Sequence, residues 1–164
     1  MVSCLLSWQG ISKPVIVDPQ VTKVNADYYT AHVKNDLVPA LKRFYPLNDG
    51  IFVQDGASSH TSNKCQRFLS KEFGKSRKVS KKQWPPQSPD LNPLDYFFWA
   101  EVQSKVFEAR REPFKDQQEL EAQILRVWES ACNKNFTRKA IKQFRPRLLA
   151  VVKAKGGPIK HLFK

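Results

Sequence analysis

Two carboxylates stand where chemistry could use them. Asp55 closes the run "IFVQD", residues 51 to 55, and a Gly-Ala-Ser-Ser turn then leads to His60. Asp95 follows "SPDLNPL" and opens "DYFFW". An acid at the carboxyl end of a strand has a rigid backbone behind it and open space ahead, where α/β sheets hold ligands and catalytic groups. The same Asp could simply accept backbone N–H bonds in a turn. Asp95 has an equally plain account. Asn92 suits an N-cap, Pro93 the first helical position and Asp95 the third, which is close to a capping box. Capping does not explain the aromatic bulk nearby, Trp84, Tyr96, Phe97, Phe98 and Trp99. Prolines on one side and aromatics on the other hold a carboxylate still, as divalent-metal chemistry requires.

The elements that must position these acids read as follows. Val2 to Trp8 and residues 13 to 18, "KPVIVD", are two apolar runs joined around Gly10, a hairpin pattern. Asn25 caps a helix marked by Tyr29, Val33, Leu37, Leu41 and Phe44, which Pro39 is expected to kink. "IFVQD" is a third, buried strand. Cys65, Phe68, Leu69 and Phe73 mark a short helix stopped by Gly74. Residues 75 to 83, "KSRKVSKKQ", form a basic loop or short edge strand, and "WPPQSPDLNP" is too proline-rich for a helix interior. From Pro93 the pattern is helical to about Phe107. Two further helices are expected near 116 to 132 and 137 to 153, with Asp116 and Thr137 as N-caps and Pro146 as a bend. The whole is one α/β domain whose residues 110 to 164 form a helical C-terminal part.

Bulk properties narrow the partner. The 164 residues carry 28 Lys and Arg against 15 Asp and Glu, a formal charge of +13. Such a surplus on a small globular chain favours a polyanion, and nucleic acid is the usual one. Cys4, Cys65 and Cys132 are widely spaced with no CxxC pair, which excludes a disulfide framework or zinc finger and suits a reducing compartment. No apolar run reaches the roughly 18 residues of a membrane span, and no secretory signal opens the sequence.

"VQDGASSH" and "WPPQSPDLNPLDYFFW" resemble the second and third acidic blocks of mariner-like DNA transposases, within the ribonuclease-H-like superfamily. "SWQGIS", "VNADYY" and "RLLAVVKAKGG" extend the resemblance over nearly the whole chain. It implies a ribonuclease-H-like mixed sheet flanked by helices. It also implies metal-dependent DNA strand cleavage and transfer, in which three carboxylates hold two divalent ions about 3.5–4 Å apart. Hard oxygen ligands and substrate phosphates suit Mg²⁺, with Mn²⁺ as substitute. By position Asp55 is the second acid and Asp95 the third, with 39 residues (56 to 94) between them. Asp90 competes, since 34 residues (56 to 89) match the commonest family spacing, but Asp95 follows the "PDLNP" block on the helix. His60 matches the histidine after the second acid, where it shapes the turn, meets a phosphate, or is an ordinary surface histidine at a helix start.

The resemblance places a first acid on a central strand upstream of the segment like "VSCLLSWQGIS", where this sequence starts. The expectation is therefore a partial catalytic domain with two of three carboxylates, no central strand, and no activity alone. The expected partner is double-stranded DNA, both transposon ends and target, in the nucleus, with a homodimer as the family expectation. Lys78, Lys81, Lys82, Arg110, Arg111 and the tail from Lys153 to Lys164 are candidate phosphate contacts, each also explicable as a solvated face. The alternatives are a non-catalytic basic nucleic-acid-binding module and a functionless transposon remnant.

Overall fold

The computed structural model describes residues 1–18, 20–21, 23–108 and 112–163. The chain divides into two compact units, one of Met1–Leu5 with Val15–Ser88 and one of Leu6–Pro14 with Pro89–Lys164.

The expected hairpin is present as two short antiparallel ladders. β1 (Val2–Ser3) pairs with β4 (Val15–Ile16), in the register Val2 to Ile16. β2 (Leu6–Ser7) pairs with β3 (Gly10–Ile11), in the register Leu6 to Ile11. The first ladder belongs to the first unit and the second to the other. Ser7 holds the tip by donating its hydroxyl to the Gly10 carbonyl and accepting from the N–H groups of Gln9 and Gly10.

In the first unit Asn25 caps α1 (Ala26–His32), its side chain accepting from the N–H groups of Asp27 and Tyr28. One wide turn, Val33–Leu37, links α1 to α2 (Val38–Phe44). There the Val38 N–H reaches back five residues to the Val33 carbonyl. Pro39 follows in the first turn of α2, where its missing N–H costs little. Tyr29, Val33, Leu37 and Leu41 line one stripe and close with Phe52, Cys65, Leu69 and Phe73 into the core. α3 (Asn63–Phe73) starts on Ser62, whose hydroxyl accepts from the Cys65 N–H, and ends on Gly74.

Gly74 adopts φ 64° and ψ −156°, a region that only glycine visits freely. A Cβ there would meet nothing within 4 Å, so the cost of a side chain is purely one of backbone. Gly74→Ala is therefore expected to lower unfolding free energy by about 1–3 kcal/mol. Gly74→Asn should give no rescue, because this is not the αL region that Asn tolerates. Denaturant unfolding of the two variants followed by circular dichroism checks both statements.

"IFVQD" departs from the expected buried strand. Only Phe52 is bridged, in parallel to Lys78: its N–H donates to the Arg77 carbonyl, and its carbonyl accepts from the Val79 N–H. Phe52 is buried and stacks on Phe73 at 5.4 Å, while Ile51 and Val53 are 59% and 46% exposed. The segment is thus half-buried, with alternate residues on opposite faces. Among the described residues no ladder joins this bridge to β1 or β4.

The second unit is built on α4 (Trp99–Phe107), α5 (Gln117–Ala131), α6 (Lys134–Lys142) and α7 (Phe144–Lys153). Asp116 caps α5 as expected, through the Glu119 N–H. Thr137 is not a cap. Asn133 caps α6 by accepting from Asn135 and Phe136, and Thr137 lies inside the helix, fully buried. Nor is the expected last helix continuous. α6 and α7 part at Gln143, which places Pro146 in the first turn of α7, where its missing N–H is harmless. Leu148 and Val152 face outward, 40% and 68% exposed, and Arg147 is the buried residue of α7.

Phe98 is fully buried at the centre of this unit. It meets Trp99, Trp128 and Phe136 edge-on, with ring centroids 5.1 to 5.5 Å away. Trp128 also donates its indole N–H to the Ser12 carbonyl at 2.9 Å, tying the hairpin tip to α5. All three cysteines are free and buried, and burial pushes the Cys132 thiol up to about 11. No helix among the described residues is long and apolar enough to cross a membrane.

Candidate functional site

Asp55 stands three residues past the Phe52 bridge, where the chain leaves the ladder and turns. Its Oδ1 accepts from the Ala57 N–H at 3.0 Å, an Asx turn that fixes the carboxylate over the Gly56–Ala57 bend. The same oxygen lies 2.5 Å from Nδ1 of His60. That ring nitrogen is buried, and its close contact is the largest influence on the carboxylate. Asp55 is held below the ordinary carboxylate range, chiefly by His60 and less by the Ala57 N–H, against the opposing effect of partial burial. Its side chain remains 42% exposed and open to a ligand.

His60 is itself held in place. Its ring stacks on Tyr29 with centroids 3.8 Å apart. The Tyr29 hydroxyl donates to Gln54 Oε1 at 2.9 Å, and the amides of Gln54 and Gln66 both donate to the His60 carbonyl at 2.9 Å. Lys78 donates to Gln66 Oε1 at 3.2 Å. Burial pushes the Tyr29 phenol far above its ordinary range, so it stays a neutral donor. His60 is thus not a free surface histidine: its ring is held between Tyr29 and Asp55. The sequence marks Tyr29 only as an apolar position of its helix and does not single out Gln54 or Gln66, since no spacing signals a stack across 31 positions. A shallow cleft beside Asp55 is lined by Gln54, Gly56, Gln66, Lys81 and Trp84. Trp84 accordingly belongs to the surroundings of Asp55. Lys81 and Lys82 are exposed, whereas Lys78 is half-buried in its amide contact. Arg110 and Arg111 lie outside the described residues.

In the other unit, Asp95 sits in the first turn of the helical segment after Pro93, inside a wide turn, Leu94–Phe98, that runs into α4. Its Oδ2 accepts from the Asn92 amide at 2.8 Å, while Asn92 Oδ1 accepts from the Leu94 N–H. The next residue, Tyr96, donates its hydroxyl to the Ala140 carbonyl at 2.7 Å. The Arg147 guanidinium lies 4.0 Å from the Tyr96 ring centroid and 4.4 Å from that of Phe163. Arg147 also donates to the Asp90 carbonyl, and the Asp90 side chain accepts from the Ile159 N–H. Asp90 is therefore committed to the turn and tail, and Asp95 is the exposed carboxylate of this block.

Each carboxylate suits a hard divalent cation: both are oxygen donors reachable by solvent and oriented by a neighbouring polar group. Among the described residues no three His, Cys, Asp or Glu side chains gather as a metal-ligand group.

The sequence pattern of the DDE superfamily endonuclease family matches residues 16–121. The chain is 27% identical over 140 residues to the Transposable element Tc3 transposase of Caenorhabditis elegans, covering 85% of this chain and 40% of that protein. It is 29% identical over 111 residues to the Tcb1 transposase of Caenorhabditis briggsae, covering 68% and 37%. The chain thus spans about two fifths of the length of these relatives. The fold matches that of the Mos1 transposase catalytic domain, solved with raltegravir and Mg, at a TM-score of 0.74 and 23% identity. The match covers 96% of this chain and 75% of that one, and Mos1 has also been solved with Mn and as a paired-end complex with a transposon end. The mixed α/β arrangement is that of a ribonuclease-H-like fold, and the chain belongs to the DDE superfamily endonuclease family.

Proposed function

We propose that Asp55 and Asp95 are the two carboxylates this chain contributes to a metal-dependent strand cleavage and transfer reaction on transposon-end DNA. The observation that carries the reading is the clamp on Asp55. A half-exposed carboxylate with one oxygen occupied by the Ala57 N–H and the His60 ring is oriented before any ligand arrives. Mg²⁺ or Mn²⁺, when bound, supplies a Lewis acid that activates an attacking water or 3′-hydroxyl and stabilises the leaving oxygen. The chain's own part is to keep Asp55 ionised and aimed, through His60 and Tyr29, and to hold Asp95 on a rigid helix start through Asn92. A homodimer fits a reaction that in Mos1 is captured as a paired-end complex, and DNA as substrate fits the nucleus.

The 164-residue polypeptide alone is expected to show no strand cleavage or transfer on DNA carrying terminal inverted repeats, with Mg²⁺ or Mn²⁺. The resemblance gives it two of the three acids that such a metal pair requires. Cleavage that disappears in Asp55→Ala would overturn this expectation of inactivity, and cleavage that survives Asp55→Ala would overturn the role given to Asp55. A purely DNA-binding module is the second reading, favoured by the +13 charge.

A further inference from the structure

Residues 130–164 hold ten Lys and Arg and not one Asp or Glu. α6 turns part of that surplus into an ordered array. Lys134, Arg138 and Lys142 recur every four residues, on the side of the helix opposite the buried Phe136, Thr137 and Ala140. Lys134 and Lys142 are exposed, and Arg138 is fixed rather than free. Its guanidinium lies 4.8 Å from the ring centroid of Trp8, and its Nε donates to the Trp8 carbonyl at 3.3 Å. No described carboxylate lies within ion-pairing distance of these three cations; the four ion pairs among the described residues all fall between Asp27 and Glu72.

A row of unpaired like charges on one helix face repels itself, and neighbours at this spacing destabilise a helix by a few tenths of a kcal/mol per pair. A polyanion reverses that sign. The three cations span about 12 Å along the axis at 1.5 Å per residue. One strand of B-DNA carries roughly three to four phosphates over that length. We infer that the outward face of α6, formed by Lys134, Arg138 and Lys142, is a sequence-independent binding site for the phosphate backbone of duplex DNA. The inference rests on the reading that the chain works on DNA, but it requires no metal and no strand cleavage. The rigid backbone of α6 spaces the three cations, and the Trp8 stack pre-orders Arg138, whose rotamers are therefore not lost on binding.

The test uses the 164-residue chain and a duplex of arbitrary sequence, without divalent metal, so that its outcome is independent of the roles of Asp55 and Asp95. Lys134→Gln/Lys142→Gln should weaken binding roughly 10- to 100-fold at 0.1 M salt. The slope of log K against log salt should fall by about 2, near 0.9 per lost phosphate contact. Lys23→Gln/Lys34→Gln removes the same net charge from exposed positions elsewhere and should leave the slope unchanged. If both pairs lower the slope equally, or neither does, the site does not exist. Lysine acetylation of the unaltered chain gives a second readout that needs no variant: duplex should protect Lys134 and Lys142 and spare Lys23 and Lys34. Absence of that selective protection overturns the inference, as does equal protection by a polyglutamate chain, which would mark a protein-binding face.

Discussion

Phe98→Ala is expected to destabilise the unit formed by Leu6–Pro14 and Pro89–Lys164 by about 3–5 kcal/mol. The ring is fully buried and touches three other aromatic rings, so its removal leaves a cavity that rigid neighbours cannot refill. Edge-to-face pairs add roughly 0.5–1.5 kcal/mol each beyond buried area, which favours the upper half of that range. Phe98 closes the wide turn that begins at Leu94, so the same substitution loosens the backbone that carries Asp95. Trp8, Trp99 and Trp128 lie in this unit and Trp84 in the other, so tryptophan fluorescence during denaturant unfolding reports the affected unit preferentially. A loss below about 1.5 kcal/mol would mean that the aromatic cluster relaxes around the gap and does not brace the Asp95 turn.

Arg147 gives the second large effect, and its variants separate packing from charge. Arg147 is 5% exposed and, among the described residues, has no carboxylate within ion-pairing distance, a costly position for a cation. Neutral acceptors compensate poorly: its bonds to Gln143 Oε1 and the Asp90 carbonyl are 3.3 and 3.4 Å long, at the weak end of the range. The two aromatic faces do more, through cation–π attraction and through contact with the side-chain stem. Burial pushes the Tyr96 phenol up to about 12, with Arg147 opposing, so the ring beneath the cation stays neutral. Arg147→Ala is expected to cost about 2–5 kcal/mol, as for other large-to-small changes in a core. Arg147→Met fills most of the same volume without a buried charge and should stay within about 1.5 kcal/mol of the unaltered chain. Thermal and denaturant unfolding of the three proteins decides between the two causes. If Met proves as damaging as Ala, the guanidinium's polar bonds outweigh its packing.

Much of this architecture is legible in the residues, because caps and stops are local. Asn25 and Asp116 start helices where their side chains can reach N–H groups two or three positions on, and Gly74 ends one where the backbone needs positive φ. The two wide helical turns are invisible in the same way. An extra residue between Val33 and Leu37, or between Leu94 and Phe98, leaves the apolar stripe intact. Spacing also cannot say which face of a helix finds cover. In α7, Leu148 and Val152 look like a core stripe, yet Arg147 lies inward because two aromatic rings accept it. The Thr137 expectation failed for a related reason: Asn133, four residues earlier, is the better acceptor for orphan N–H groups. At the candidate site, residue type and flanking prolines single out Asp55 and Asp95. The Tyr29 stack behind His60 joins positions 31 apart, and only the folded chain brings them together.

The half-buried segment around Phe52 has a consequence beyond its role as the base of Asp55. Its bridge to Lys78 uses one side of the backbone, and among the described residues nothing bonds to the backbone of Ile51 or Val53 on the other. Those two residues are also the ones whose apolar side chains meet water. Open N–H and C=O groups flanked by exposed β-branched side chains form an uncapped sheet edge, a template on which another extended chain can add itself as a strand. The cations at Lys78, Lys81 and Lys82 charge the neighbouring segment, and mutual repulsion there opposes stacking of identical copies. Solubility of the isolated polypeptide thus depends on ionic strength at this edge: salt that screens those lysines weakens the guard and leaves the template exposed.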